Sequence, residues 1–191
     1  MNVRLTVLLL CVVGVGMGCA TRPETPASRN LLSAEVQEAI ALFKVRDPGI
    51  QAFFDRSYGY AVLPRIAKGA WVVGAAFGQG EVFAGGTRVG YCSASQASVG
   101  FSFGGQYFRE IIFFRDKLDL NRFAVGDFAF SGQVNAVAIT AGAAAKSDYQ
   151  DGMAVFVAPD AGLMIDVSIA GQKFEYDPTY TMRDEPKTVL P

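Results

Sequence analysis

The side chains able to do chemistry in this chain are few, and the first guide to them is an absence: none of the 191 residues is histidine. Without imidazole no Ser-His-Asp or Cys-His arrangement can form, and the commonest transition-metal ligand is missing. Carboxylates, lysine or tyrosine could still move protons. The carboxylates Asp116, Asp119, Asp127, Asp148, Asp151, Asp160 and Asp166 are scattered, however, mostly where capping of a helix or turn explains them. Asp148 and Asp151 could share an oxygen-bound cation, but one pair without EF-hand spacing is thin support. No metal and no cofactor are expected. Gly78-Gln-Gly80 and Gly85-Gly86 lack the spacing and following helix of a phosphate loop. One other chemistry has candidate residues here, the pairing of phosphate beside an apolar surface. Arg56, Arg65 and Lys68 are interleaved with Phe53, Phe54 and Trp71, and lipid binding needs that mixture, with cations to pair the headgroup and rings to leave water with the acyl chains. These six are the candidate lipid-binding residues, with Arg109 and Lys146 as weaker ones. Against them stands the ordinary behaviour of such residues: cations beside turns are solvated, and phenylalanines pack into cores.

Composition bounds the rest. The length suits one domain plus an export segment. Half of the chain is apolar and 18% is charged, so a core can form and disorder of the body is not expected. A formal net charge of -1 provides no basic field for nucleic acid.

Residues 1–18 read as a secretory signal: Arg4, the apolar run Leu5–Val15, then small residues. The run is shorter than the ~18–20 residues of a membrane span. Its ending, Gly16-Met-Gly-Cys19, resembles a bacterial lipobox, with Gly16 in place of the usual aliphatic residue; Cys19 is the candidate lipidation site. The alternative is ordinary cleavage near Ala20. With Cys11 lost and Cys19 acylated, Cys92 stands alone, so no disulfide is expected and Cys92 reads as a small buried hydrophobe. Ala20 in place of the retention signal Asp favours an outer-membrane address facing the periplasm.

The elements that must position these residues follow in order. Residues 19–31, with two prolines, read as acylated N-terminus and tether, 32–180 as the folded domain and 181–191 as an irregular tail. A helix is expected from Ser33 to Arg46 and a short one from Pro48 to Arg56, opened by Asp47-Pro48. From Tyr58 the period shortens to that of strands, expected at Tyr58–Leu63, Ala70–Phe77, Gly80–Phe83, Arg88–Ser93, Ser98–Phe103 and Tyr107–Phe114, with turns at Gly78–Gly80, Gly85-Gly86 and Gly104-Gly105. A helix over Asp116–Val125 is followed by strands at Phe128–Phe130, Gln133–Ala141, Met153–Ala158, Leu163–Ile169 and Lys173–Tyr176. The expected class is α+β: a predominantly antiparallel sheet closing into a barrel- or sandwich-like body, with N-terminal helices and one inserted helix.

Several pieces then occur in a familiar order: Tyr58-Gly-Tyr-Ala-Val-Leu-Pro64, Ala67-Lys-Gly-Ala-Trp-Val-Val-Gly74, Gln96-Ala-Ser-Val-Gly100, Ala141-Gly-Ala-Ala-Ala145, Asp151-Gly-Met-Ala-Val-Phe156 and Gly171-Gln-Lys-Phe174. The ordered set resembles the SYLF domain family over about Val45 to Tyr176. The resemblance implies a non-enzymatic lipid-binding module. Eukaryotic members associate with phosphoinositide membranes and, in fungi, with actin; bacterial ones look like envelope lipoproteins. For an exported bacterial chain the implied partner is membrane phospholipid with an anionic headgroup. The alternative is a structural or protein-interaction module of the outer membrane, with an envelope protein as partner and no lipid recognition of its own. No nucleic-acid partner is expected.

Overall fold

The computed structural model describes residues 21–70, 73–126 and 136–179, apart from the side chains of 70, 73, 98–103 and 161–171. The signal segment, Cys19, Trp71, the tail, the strand expected at Phe128–Phe130 and the start of that expected from Gln133 lie outside the described residues.

Helix α1 spans Pro26–Arg46 and so begins well inside the segment expected to be a tether. The second proline does not break it, because a first-turn proline lacks only an N–H that has no helical partner. Thr25 caps it reciprocally: its Oγ1 accepts from the Ser28 amide at 3.1 Å, and Ser28 Oγ accepts from the Thr25 amide at 3.1 Å. Leu32, Val36, Ala39 and Phe43 form its buried stripe. The helix stops at Asp47 because a residue before proline is driven out of the α region. A 3-10 turn at Pro48–Ile50 and helix α2, Gln51–Arg56, complete the expected helical pair.

The strands are longer than the glycine spacing suggested: β1 is Gly59–Ala70, β2 Val73–Ala84, β3 Thr87–Phe114, β4 Val137–Ala138 and β5 Met153–Pro178. Gly104-Gly105 lies inside β3, and Gly78-Gln-Gly80 inside β2. A Cβ at Gly80 would collide with the Val62 carbonyl, and one at Gly78 would sit 2.7 Å from the Arg65 carbonyl. Both flank the irregularity between Val62 and Arg65 in β1, so these glycines permit close approach at a bulge and do not turn the chain. Gly85-Gly86 does turn it, at φ +55° and +77°.

The registers nest these strands. β1 and β2 pair from Gly59↔Ala84 to Ala70↔Gly74. β3 pairs with β2 from Thr87 to Val99, then with β1 from Gly104 to Phe114, so its two halves run in opposite directions around the end of the β1–β2 hairpin. β5 follows β3 on the outside from Phe114↔Met153 to Gly90↔Pro178. Across the sheet the order is the C-terminal half of β5, the first half of β3, β2, β1, the second half of β3, the first half of β5, and β4 parallel beside Phe156 and Val157.

Both faces carry a core. Under α1 and α2 lie Val62, Phe83, Tyr91, Ile111, Phe113 and Phe156. On the other face Ala61, Leu63, Cys92, Ile112, Phe114 and Phe174 pack together. Helix α3, Lys117–Ala124, covers that second core with Leu120 and Phe123; the Phe123 ring stands 4.9 Å from Phe114 and 5.3 Å from Phe174. The α+β class, the mainly antiparallel sheet and the inserted helix are as expected. Closure into a barrel is not observed: among the described residues no pairing joins the two outer strands, because nesting leaves β5 on one edge and β4 on the other.

Candidate functional site

The candidate lipid-binding residues do not form one patch. Phe53, on α2, is 1% exposed, its ring 5.4 Å from Phe113, 5.1 Å from Phe156 and 5.5 Å from Tyr149. That is a correction: in the folded domain Phe53 is core, not membrane-facing surface. Phe54 is half-buried, edge-on to Tyr60 and Phe113 at 5.0 and 4.9 Å, with Lys44 Nζ 4.6 Å over its ring. Arg56 lies over Phe53 at 5.5 Å and donates from Nε to the Ala52 carbonyl at 3.1 Å. Together with Lys146 it lines a surface groove of about 610 Å³ beside Ala144–Asp148.

Arg65 and Lys68 lie elsewhere, well along β1; at about 3.3 Å per residue Lys68 is some 30 Å from Gly59, next to α2. Arg65 is 63% exposed, with Nη2 3.7 Å from Glu35 on α1. Lys68 is half-buried on the other side of the strand. It belongs to a row of paired residues crossing the sheet, Gln172–Gln96–Ala76–Lys68–Gln106. Within this row Lys68, Gln96 and Gln106 join Phe108, Val157 and Pro159 around a cavity of about 170 Å³. An ammonium, two amides and apolar walls suit a polar, acceptor-bearing group with a greasy neighbour.

Deeper than this row lies a carboxylate that sequence reasoning overlooked. Glu110 is 2% exposed and accepts from Gln172 Nε2 at 3.0 Å. Burial pushes its carboxyl up to about 7, against the opposing influence of the Gln172 hydrogen bond. The signal was available: Glu110 shares strand parity with Ile112 and Phe114, which both point into the second core. Because Gln172 is on the far half of β5, the hydrogen bond also ties together two halves of the sheet that are not neighbours in it. Glu110 is not among the residues lining the cavity. Cys92, beside it, is buried, and burial with the nearby Glu110 and Glu81 carboxylates pushes its thiol far up, as expected for an inert core cysteine.

Arg109 points to the opposite face and pairs with Glu38 and Asp160 at 3.1 and 3.3 Å, not with Glu110. Asp151 faces Arg122 at 3.5 Å, and no group of metal-ligating side chains occurs among the described residues. Asp47 closes a structural site: its Oδ2 accepts from the Ala144 amide at 2.7 Å and its Oδ1 from Gly49 at 2.9 Å. Those donors, Ala144 foremost, hold its carboxyl below the usual range despite burial. Among the described residues no helix is long and apolar enough to cross a membrane.

No protein-family model matches the chain. It is 28% identical over 145 residues to the Beta cell expansion factor A of Aeromonas veronii, an alignment covering 74% of this chain and 54% of that protein. The chain thus spans about half the length of the curated relative that it matches.

Proposed function

We propose that this chain is a lipid-anchored protein of the bacterial envelope whose SYLF-type domain binds anionic phospholipid without catalysis. The observation that carries the reading is the placement of Arg65 and Lys68 on the far half of β1, one exposed and one at the mouth of the amide-lined cavity. The row one step beyond Lys68, Ala97–Ala75–Gly69–Gly105, is uncharged and open to solvent. Cations at the rim of an apolar surface are what an anionic bilayer requires. The ordered motifs of the sequence and the partial similarity to a bacterial relative support the family assignment. The hydrogen bond between Glu110 and Gln172 supports a sandwich-like body. A non-enzymatic role fits a chain without histidine, in which Glu110, a buried carboxyl pushed up to about 7, is not among the residues lining the cavity. Acylation at Cys19, with the polar residue Asp absent after it, supports an outer-membrane address facing the periplasm.

Flotation of residues 20–191 with phosphatidylglycerol-containing vesicles tests the site. Each cation near an anionic surface contributes about 1 kcal/mol, so Arg65→Glu with Lys68→Glu is expected to weaken binding by roughly tenfold or more. Arg56→Glu, at the α2 end, is expected to leave it unchanged. Equal loss in both variants would mean that net charge alone matters. No loss in either would remove Arg65 and Lys68 from the site.

A further inference from the structure

The cavity beside Lys68 contains more chemistry than a cation near a membrane requires. Its described lining joins the polar side chains of Lys68, Gln96 and Gln106 to the apolar ones of Phe108, Val157 and Pro159. The polar residues come from β1 and from both halves of β3, and they stand in one row across the sheet. Gln96 pairs with Ala76, Ala76 with Lys68, and Lys68 with Gln106. Neighbours in a flat row are about 4.8 Å apart, which would set Gln96 some 14 Å from Gln106. The curl of the sheet instead gathers them around one volume, with Val157 and Pro159 of β5 as a further wall. Ala76 has only a methyl group, which leaves room between the longer side chains. The third glutamine of the row, Gln172, is engaged with Glu110 through its Nε2 at 3.0 Å. Gln96 and Gln106 are half-buried, and among the described residues neither makes a side-chain hydrogen bond. Amides held against apolar walls have lost part of their water and gain from a ligand that replaces it.

We infer that this cavity recognises the headgroup of a single phosphodiester that bears hydroxyl groups, with phosphatidylglycerol as the lipid that presents it. The inference rests on the lipid-binding reading above and names the headgroup class that the site reads. The Lys68 ammonium pairs with the phosphate, whatever else that phosphate bears. The two carboxamides make the distinction. Each can both donate and accept a hydrogen bond, which matches the hydroxyl groups of glycerol. A choline headgroup has no hydrogen to donate, and its cation is repelled by Lys68; ethanolamine meets the same repulsion. Size sets a second limit. A volume of about 170 Å³ is less than the ~300–1,000 Å³ of sites that enclose a whole small molecule. The headgroup therefore enters while the acyl chains stay outside. Arg65 is not part of the lining; it is on the opposite side of β1, 3.7 Å from Glu35, and supplies charge without touching the headgroup.

The test separates headgroup recognition from charge. Residues 20–191, which include every described element of the fold, are mixed with two kinds of phosphatidylcholine vesicle. One is enriched in phosphatidylglycerol, the other in phosphatidylmethanol, a diester of equal charge with methyl in place of glycerol. Two hydrogen bonds of ordinary net strength are expected to give about tenfold tighter binding to phosphatidylglycerol. Gln96→Leu with Gln106→Leu, checked for an unchanged circular dichroism spectrum, is expected to remove this preference and keep salt-sensitive binding to both vesicles. Arg65→Glu is expected to weaken binding to both alike and keep the preference. Soluble glycerophosphoglycerol, added as competitor, separates the sources of the headgroup. Displacement from the phosphatidylglycerol vesicles assigns the cavity to the free phosphodiester as well, whereas selectivity without displacement assigns it to lipid held in a membrane. Equal affinity of the wild type for the two vesicles would overturn headgroup recognition and leave lipid binding intact. Binding to neither would overturn both.

Discussion

Glu110 has the most testable chemistry of any single residue. Its carboxyl ionises near 7 when folded and, at the ordinary value of 4.5, when unfolded. Between those values the native state holds a proton that the unfolded chain has lost, so this group's contribution is full below about 4.5 and falls as pH rises to about 7. Urea midpoints from pH 5 to pH 8 are therefore expected to decline more in the wild type than in Glu110→Gln. The variant should gain on the order of 1–3 kcal/mol at pH 8, since its amide can still pair with Gln172. Parallel profiles for the two proteins would contradict the assignment of a buried, protonated Glu110. Phe53 shows the limit of residue type as a guide: phenylalanine beside arginine reads as core or as membrane anchor, and the ring contacts with Phe113 and Phe156 decide for core.

At the scale of elements, much of the architecture was legible. The apolar stripe of α1, the Asp47-Pro48 break, the capped helix after Asp116 and the change of period at Tyr58 each follow from local chemistry. The lengths of the strands did not. Glycine pairs look alike in sequence whether they turn the chain or let two backbones meet, and Gly78, Gly80, Gly104 and Gly105, whose spacing suggests turns, lie within strands. The nesting was equally hidden, since it depends on pairings such as Ala70↔Gly104 and Ala97↔Gly171 between distant segments. Substitution separates the two glycine roles. Gly80→Ala drives a methyl into the Val62 carbonyl and is expected to lower stability by about 2–4 kcal/mol, the range of a strained or overpacked core site. Gly85→Ala meets open space and bears only the left-handed backbone strain, about 1 kcal/mol. Equal losses in thermal or urea unfolding would mean that the bulge can move to accept the methyl.

The described part of the molecule is organised along the nested strands, with both cores and the described helices toward one end and the exposed row Ala97–Ala75–Gly69–Gly105 toward the other. The sequence carried the ingredients of the proposed site but not their grouping. Arg56 and Phe53 are near neighbours of Arg65 in the chain, yet β1 carries Arg65 and Lys68 some 20–30 Å away from α2. The pairing of β3 and β5 supplies the residues that surround Lys68 instead, including Gln96, Gln106 and Phe108. An acyl anchor at Cys19 would hold the protein on a membrane whether or not its domain has affinity for lipid. The domain's own affinity is therefore the central claim. The most direct measurement is flotation of residues 20–191, which lack the anchor, with phosphatidylcholine vesicles and with the same vesicles enriched in phosphatidylglycerol, each at low and moderate salt. The account predicts binding that requires phosphatidylglycerol and weakens as salt screens the surface charge. No flotation on either composition would contradict it and identify the domain as a tethered module that recognises another envelope protein.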